Sequence, residues 1–456
     1  MTKSVLASSG STEKLNIDHQ IKLYSVTKKI EACDPLLFYV GNQPFYPNES
    51  FFWKSPDEAF ILVGFGSEYT IHSDQYKQRY KQVEDEWQNV CKEAKVINPY
   101  DQYGTGPILF GGFSFDSIEE KNDEWKNFNE SYFYLPTCLL TVNGNETFIT
   151  INYFGDTQSL EEMDEQIDVF LARIADEIPP LSTIDNQAEL DVGKWIEAVD
   201  DVVHQFKDPS LKKVVLARKM KVEFTSDQVV GAVLKQLLHQ QTNSFIFALQ
   251  AKQSYFLGAS PERLVKKINE NVYSTSLAGS IGRGKNEEDD EKLAEWLFND
   301  KKNRFEHDVV ISMIKEALQP HCSYVHAPKI PMILKTPDIQ HLYTPVQGLI
   351  NNHSSILQIV GGLHPTPALG GLPVHRAKNI IREKEGMNRG LYAAPIGWLD
   401  YRMNGEFVVA IRCGLIEGNQ AYLYAGCGLV KGSKSADELI ETRIKFQPML
   451  RAVEGE

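Results

Sequence analysis

The hydrophobic pattern changes period repeatedly along the chain, from short apolar runs to apolar positions spaced among charges. Residues 60–65 (FILVGF) form a short apolar run, which predicts a buried strand. Residues 73–96 spread their apolar positions among charges and predict an exposed helix. Residues 104–116 (GTGPILFGGFSFD) predict a turn entering a core strand. Two β-rich runs, 132–142 and 146–153, flank Asn143-Gly144-Asn145 and predict a hairpin. Residues 160–178 predict an acidic amphipathic helix. Paired prolines, acids and asparagine in 177–191 (EIPPLSTIDNQAELD) predict a linker, dividing the chain into 1–190 and 191–456. Beyond it, 214–217, 245–249 and 255–257 predict strands, and 289–318 predicts one long helical stretch. Residues 407–416 and 421–424 are β-rich around Glu-Gly-Asn-Gln, and 435–453 is helical. No internal repeat or low-complexity tract is present.

Composition narrows the function classes. Of 456 residues, 42% are hydrophobic and 11% aromatic, which excludes a disordered chain. The net charge of −14 disfavours nucleic acid and anionic membrane as partners over most of the surface. An acidic substrate stays open, because a local basic pocket can override the global field. The six cysteines, Cys33, Cys91, Cys138, Cys322, Cys413 and Cys427, form no Cys-x-x-Cys pair and read as reduced thiols. The N-terminal MTKSVLASSGSTEKLN is polar, without the apolar core of a secretory signal. No window approaches the ~20 apolar residues of a membrane span. A soluble, cytoplasmic protein is expected.

Several side chains carry candidate chemistry. Glu438 and Glu441 are three apart in a predicted helix, so both project from one face. Adjacent carboxylates repel unless a cation or proton lies between them. Lys445 follows Glu441 by four and makes a plain surface ion pair the simpler reading. The sharper reading is a Mg²⁺ site, which favours oxygen ligands. Glu306, in the other long helical stretch, is available as a third carboxylate. Ser433 or Ser435 can cap the later helix. Glu262, in Gly258-Ala-Ser-Pro-Glu-Arg263, follows a strand and a proline-fixed turn. Lys213 leads a buried strand, where it either snorkels to the edge or, desolvated, becomes a usable base. Gly426-Cys-Gly428 offers bare backbone N–H groups near a helix start, a candidate anion nest that Arg412 and Lys445 would reinforce. His341 reads either as a satisfied core histidine or as a site residue. The glycines of 104–116 lack a following Gly-Lys-Ser/Thr and read as close packing, not a phosphate loop.

Taken together, these segments resemble one family. Lys213-Val-Val-Leu-Ala-Arg218, Gly258-Ala-Ser-Pro-Glu-Arg263, Leu277-Ala-Gly-Ser280, Arg304-Phe-Glu-His307, Ile339-Gln-His-Leu342 and Gly362-Leu-His-Pro-Thr-Pro-Ala368 recur in the chorismate-utilising enzymes. So do Arg389-Gly-Leu-Tyr-Ala-Ala-Pro-Ile-Gly-Trp398, Ala410-Ile-Arg-Cys-Gly414 and the segment 426–445. The motifs run in family order over 190–456; the first 190 residues resemble the family mainly through Gly111-Gly-Phe-Ser-Phe-Asp116. The resemblance implies an α/β (α+β) fold of two large, mainly antiparallel sheets packed together, with helices outside, in one intertwined domain. It implies Mg²⁺ as cofactor and chorismate, a dicarboxylate, as substrate. Glu306 and Glu441 match direct Mg²⁺ ligands, and Glu438 an outer or water-mediated one. Tyr392, Arg412, Lys445 and the Gly426–Gly428 backbone match the grip on the enolpyruvyl carboxylate. Gly279, Ser280 and His341 match residues beside the ring. Asn303 stands where some salicylate-forming relatives carry a further glutamate.

The branch implied is the isochorismate synthases, of menaquinone type. Water would add at C2 of chorismate as the C4 hydroxyl leaves, with Lys213 as base and Glu262 as acid. Anthranilate-forming relatives carry glutamine at the position of Lys213, and aminodeoxychorismate-forming ones carry lysine at that of Ala278. Amine chemistry and a glutaminase subunit are therefore not expected. Salicylate synthase, which goes on to eliminate pyruvate, remains the alternative; its members tend to carry threonine where Ala368 stands. The siderophore branch uses the same reaction and also stays open, as does a catalytically dead chorismate-binding paralogue. A monomer is expected, a dimer being possible.

Overall fold

The structure, a computed structural model, describes residues 22–56, 60–73, 78–118, 121–155, 160–351 and 354–455. The polar N-terminal sixteen residues lie outside this set. Two large sheets dominate. One is 13-stranded and runs in the order Ile184–Glu189, Lys213–Phe224, Gln420–Leu429, Cys413–Glu417, Ser254–Ser260, Phe245–Ala251, Ser50–Lys54, Phe60–Phe65, Cys138–Asn143, Glu146–Gly155, Lys22–Ile30 and Lys95–Ile97. The short strand Gly371–Leu372 pairs beside Lys213 and Val214. The other sheet is 10-stranded and centres on Asn271–Gly282, Arg263–Ile268, Gly405–Val409, Pro395–Asp400 and Ile108–Phe113.

Both sheets draw strands from the first 190 residues and from the rest of the chain. Ser50–Lys54 pairs with Phe245–Ala251 in the first, and Ile108–Phe113 with Pro395–Asp400 in the second. The pairing is antiparallel except at Lys22–Ile30 beside Lys95–Ile97. Phe51 stacks on Phe110 between the sheets at 4.2 Å, and Phe60 on Trp398 at 5.5 Å. This apolar interior explains the unbroken hydrophobic runs, since strands covered on both faces cannot alternate. A second core lies between the first sheet and helices Pro35–Asn42, Val230–Gln240 and Ser435–Glu454.

Most predicted elements form, and the departures have local causes. Phe60–Phe65 is a buried strand, and Asn143 pairs with Glu146 across the expected hairpin turn. The helix expected at 73–96 is confined to Arg79–Lys92. The acidic helix ends at Ala172, not 178. The stretch 289–318 is two helices, Glu287–Asn299 and Lys301–Leu318. Asp300 splits them: its extended backbone ends the first, and its carboxylate caps the second by accepting from Asn303 N at 2.8 Å. The segment 407–416 breaks at Ala410–Arg412, where Arg412 has φ 52°. Within the expected linker, Ile184–Glu189 is an edge strand on Lys213–Phe224. Its polar alternation suits a strand exposed on one side. Neither serine caps the last helix: Lys434 is the N-cap and makes no side-chain bond. Ser433 Oγ instead accepts from Val430 N. Among the described residues no helix is long and apolar enough to cross a membrane.

Candidate active site

One cavity of about 380 Å³ opens beside the end of the first sheet. Every candidate named from the sequence lines it: Lys213, Glu262, Gly279, Ser280, Glu306, His341, Ala368, Tyr392, Arg412, Gly426, Gly428, Glu438, Glu441 and Lys445. The sheet supplies one wall. Lys213 starts its strand opposite the end of Gln420–Leu429, with Val215 facing Gly428 and Ala217 facing Gly426. Gly428 is glycine for reasons of space. A Cβ there would lie 2.5 Å from Lys213 Cε, so the lysine stem occupies the missing side chain's place.

Those glycines do not form the expected helix-start nest, because both lie within a strand. Their polar groups still serve the cavity. Val215 N donates to Gly370 O and Ala217 N to Glu385, both away from the glycine strand. Antiparallel alternation then turns the N–H and C=O of Gly426 and Gly428 outward, toward the cavity. Lys445 Nζ accordingly donates to Gly426 O at 2.9 Å.

Glu262 is held by its backbone. Its N–H donates to Ser260 Oγ, and its carbonyl accepts from Val409 N. The residue is 5% exposed. Burial raises its carboxyl to about 7 against the pull of Lys213 and Arg412. Burial also lowers the Lys213 ammonium, helped by Lys445 and opposed by Glu306, Glu441 and Glu262. His341 is pushed down to about 3 by burial, Arg412 and Lys445, so it is neutral at pH 7. Its Nδ1 pairs with Ser280 Oγ at 2.7 Å, and its Nε2 is buried with no partner among the described residues. Tyr392 stacks on Tyr424 at 5.4 Å. Among the described residues the Arg412 guanidinium has no ion-pair or hydrogen-bond partner.

Two helices supply the acidic wall. Glu306 Oε2 lies 3.8 Å from Lys213 Nζ. Glu441 bonds Lys445 at 2.5 Å, so the simple ion pair is present, yet it faces the cavity. Burial pushes Glu441 up, but Lys445, Arg412 and Lys213 outweigh it and hold it low. Glu438 is raised by burial and by Glu441. Its Oε2 is buried with no hydrogen-bond partner. A buried carboxyl oxygen without a partner of its own, beside Glu441 and with Glu306 across the cavity, fits a hard divalent cation, although Ser433 and Cys427 also bond the Glu438 carboxyl. The three carboxylates are not gathered into a ready-made cluster; among the described residues no group of three metal-ligating side chains is. Two of them are held apart by their lysines.

Sequence reasoning passed over several lining residues, among them Arg389, Leu369, Trp296 and Lys302. Leu369 adjoins Ala368 and Arg389 precedes Tyr392, while Lys302 stands on the helix that carries Glu306 and Trp296 on the helix before it. Trp296 is 54% exposed. The Lys302 ammonium has no ion pair among the described residues. The one usable signal was the i, i+4 spacing of Glu385 and Arg389, of which only Arg389 falls in a quoted motif.

The cavity brings a buried carboxyl and a desolvated amine beside a guanidinium with no partner among the described residues, a lining that suits a small anionic substrate. The chain belongs to the chorismate binding enzyme family, which it matches over residues 10–454. It is 41% identical to the isochorismate synthase MenF of Bacillus subtilis, over 96% of this chain and 95% of that protein. It is 32% identical to the salicylate biosynthesis isochorismate synthase of Pseudomonas aeruginosa, over 94% and 90%. The crystal structure of MenF, the menaquinone-specific isochorismate synthase from Escherichia coli, superposes with a TM-score of 0.78. That likeness covers 96% of this chain and 97% of that one at 23% identity, and concerns the fold.

Proposed function

We propose that the protein is a cytoplasmic isochorismate synthase that converts chorismate reversibly to isochorismate with Mg²⁺, feeding menaquinone biosynthesis. The observation that carries this is the meeting of Lys213 and Glu262 in one cavity with the unpaired Arg412 and the acidic helix wall. The isochorismate synthases among its relatives support the reaction. The menaquinone branch rests on the resemblance at Gly111-Gly-Phe-Ser-Phe-Asp116.

The reaction exchanges one hydroxyl for another, so water enters at C2 and leaves from C4. Water is a poor nucleophile and hydroxide a poor leaving group. Neutral Lys213 removes a proton from the entering water. Protonated Glu262 gives one to the departing hydroxyl. Each placed transfer is worth ~10²–10⁴ in rate. Exchange with solvent then restores both groups. Arg412 suits the enolpyruvyl carboxylate, because its planar fork binds two oxygens. Tyr392, Lys445 and the outward groups of Gly426 and Gly428 complete that grip. Gly279, whose φ of 78° suits glycine, lies beside the ring, and Ser280 fixes His341 with its Nε2 turned to meet the substrate. Glu306 and Glu441, with Glu438 through water, would hold Mg²⁺, which would offset the charge of the ring carboxylate.

Ala368, not threonine, on the cavity wall disfavours the pyruvate-eliminating reading. Lys213 and Ala278 disfavour amine addition and a glutaminase subunit. The protein is expected to act as a monomer. Purified protein incubated with chorismate and Mg²⁺ should give isochorismate without pyruvate, and EDTA should abolish it. Stoichiometric salicylate and pyruvate would overturn the assignment in favour of salicylate synthase. Binding of chorismate without turnover would make the protein a non-catalytic paralogue.

A further inference from the structure

The Glu385–Arg389 pair has no part in the mechanism above, yet both side chains are only 1% exposed. Two full charges at that depth are costly to desolvate, and such pairs are weak devices for stability alone. What they bond shows what they hold. Arg389 Nε and Nη2 clasp the two Glu385 oxygens, each at 2.6 Å. Its Nη1 donates to Leu369 O at 2.9 Å, and its Nη2 also donates to Val215 O at 2.8 Å. Glu385 Oε2 in turn accepts from Ala217 N at 2.8 Å. Arg389 O accepts from Tyr392 N at 2.8 Å, and the guanidinium lies over Phe115 at 4.2 Å.

Three wall segments therefore converge on one ion pair. Val215 and Ala217 lie on the strand that begins with Lys213. Leu369 adjoins Ala368, and Tyr392 closes the turn that starts at Arg389. Although Arg389 lines the cavity, four of its N–H contacts are spent on the protein, whereas Arg412 has no partner among the described residues. Arg389 is thus not a second carboxylate grip. We infer that Glu385–Arg389 is a positioning pair, fixing Lys213, Ala368 and Tyr392 relative to one another for the reaction proposed above. The bonds to Val215 O and Ala217 N hold the Lys213 strand from the side opposite Gly428. A displacement of about 1 Å at a reacting group can cost ~10²-fold in rate, so a rigid tie at this point matters.

The test compares Arg389→Lys, which keeps the charge and loses the fork, with Glu385→Gln, which keeps the shape and loses the charge. Both should lower kcat by about 10- to 100-fold with KM within threefold of the unmodified enzyme. Because Arg389 lines the cavity, millimolar guanidinium should restore part of the activity of Arg389→Ala. A fall expressed as a raised KM would overturn the inference by making Arg389 a substrate ligand. Wild-type kcat in either folded variant would overturn it too. If neither variant folds, the pair belongs to the fold and not to the site, which also overturns it. A crystal structure of Arg389→Lys separates this inference from the functional reading. Displaced Lys213 and Tyr392 would support the pair's role even if the unmodified protein fails to turn over chorismate. Unmoved side chains would reject it even if the protein turns over well.

Discussion

The cavity's two walls are built differently. On the sheet wall, Lys213 and the two glycines stand on paired strands, and Glu262 sits in the short link between two strands with its backbone N–H and C=O both hydrogen-bonded. On the helix wall, Glu306, Glu438 and Glu441 project from helix faces, and two of them rest against lysines of the same cavity. The difference matches the proposed tasks. Proton transfer needs reacting atoms held to fractions of an ångström, which a sheet provides. Cation binding needs carboxylates able to leave one partner for another, as the lysine-paired Glu306 and Glu441 can. The sheet wall is also the drier one: Glu262 is 5% exposed, whereas the Glu441 side chain is 48% exposed.

The sharpest way to break this comparison is to remove the base. Lys213→Ala should reduce kcat by about 10³-fold, within the range of one placed proton transfer, while chorismate still binds. Steady-state turnover beside a fluorescence titration of binding checks both halves. Turnover near that of the unmodified enzyme would remove Lys213 from the chemistry.

The second test uses pH. Glu262 must be protonated to act as acid, and its carboxyl lies at about 7. Its proton is therefore present below that value, and kcat/KM should fall about tenfold per pH unit well above it. The same shift affects stability. A carboxyl raised above its unfolded value contributes stability that is full below pH 4.5 and lost as pH rises through about 7. Glu262→Gln should thus match the unmodified protein in urea at pH 4 and exceed it at pH 8.5. Equal stability at pH 8.5 would mean that burial does not strain this carboxylate.

On the helix wall, Glu438→Gln should weaken Mg²⁺ by about 10- to 100-fold, the usual cost of losing a group that orients metal ligands. Calorimetry of Mg²⁺ binding in the presence of chorismate would measure it. Unchanged affinity would leave the orphaned Glu438 oxygen without this role.

How far each wall was legible in the sequence follows from the same contrast. Short-range patterns carried Glu438, Glu441 and Lys445, because helical spacing alone puts them on one face. Nothing local joins Lys213 to Glu262 or Arg412; a strand from each distant segment is needed, and the motif resemblance supplied that. The nest expected at Gly426 and Gly428 failed for a related reason. A lone Gly-x-Gly is silent on whether its bare N–H groups come from a tight turn or from an unpaired strand edge. The Asp300 break was legible in principle, since an aspartate three residues before Asn303 is a cap signal, but the continuous apolar period on either side masked it. The edge strand Ile184–Glu189 was hidden by its polarity, which in a chain of buried strands looks like a linker. Arg389 was invisible as a tie, because what it and Glu385 hold are backbone groups of distant segments, Leu369 O, Val215 O and Ala217 N, which no side-chain pattern records.

The smallest predicted effect concerns the start of the helix that carries Glu438 and Glu441. Lys434 is its N-cap, in extended geometry with φ −118° and ψ 128°, and makes no capping bond. A lysine there leaves the first N–H groups unsatisfied by a side chain and puts a cation at the positive end of the helix dipole. Lys434→Ser would supply an acceptor and remove the charge at a residue outside the cavity lining. The helix wall should gain about 1 kcal/mol of stability by urea unfolding, with kcat unchanged. If stability rises and Mg²⁺ affinity falls, the carboxylates need a loose helix start in order to reach the cation. If both hold steady, that end is already satisfied by solvent, and the adjustability of the helix wall lies in its side chains alone.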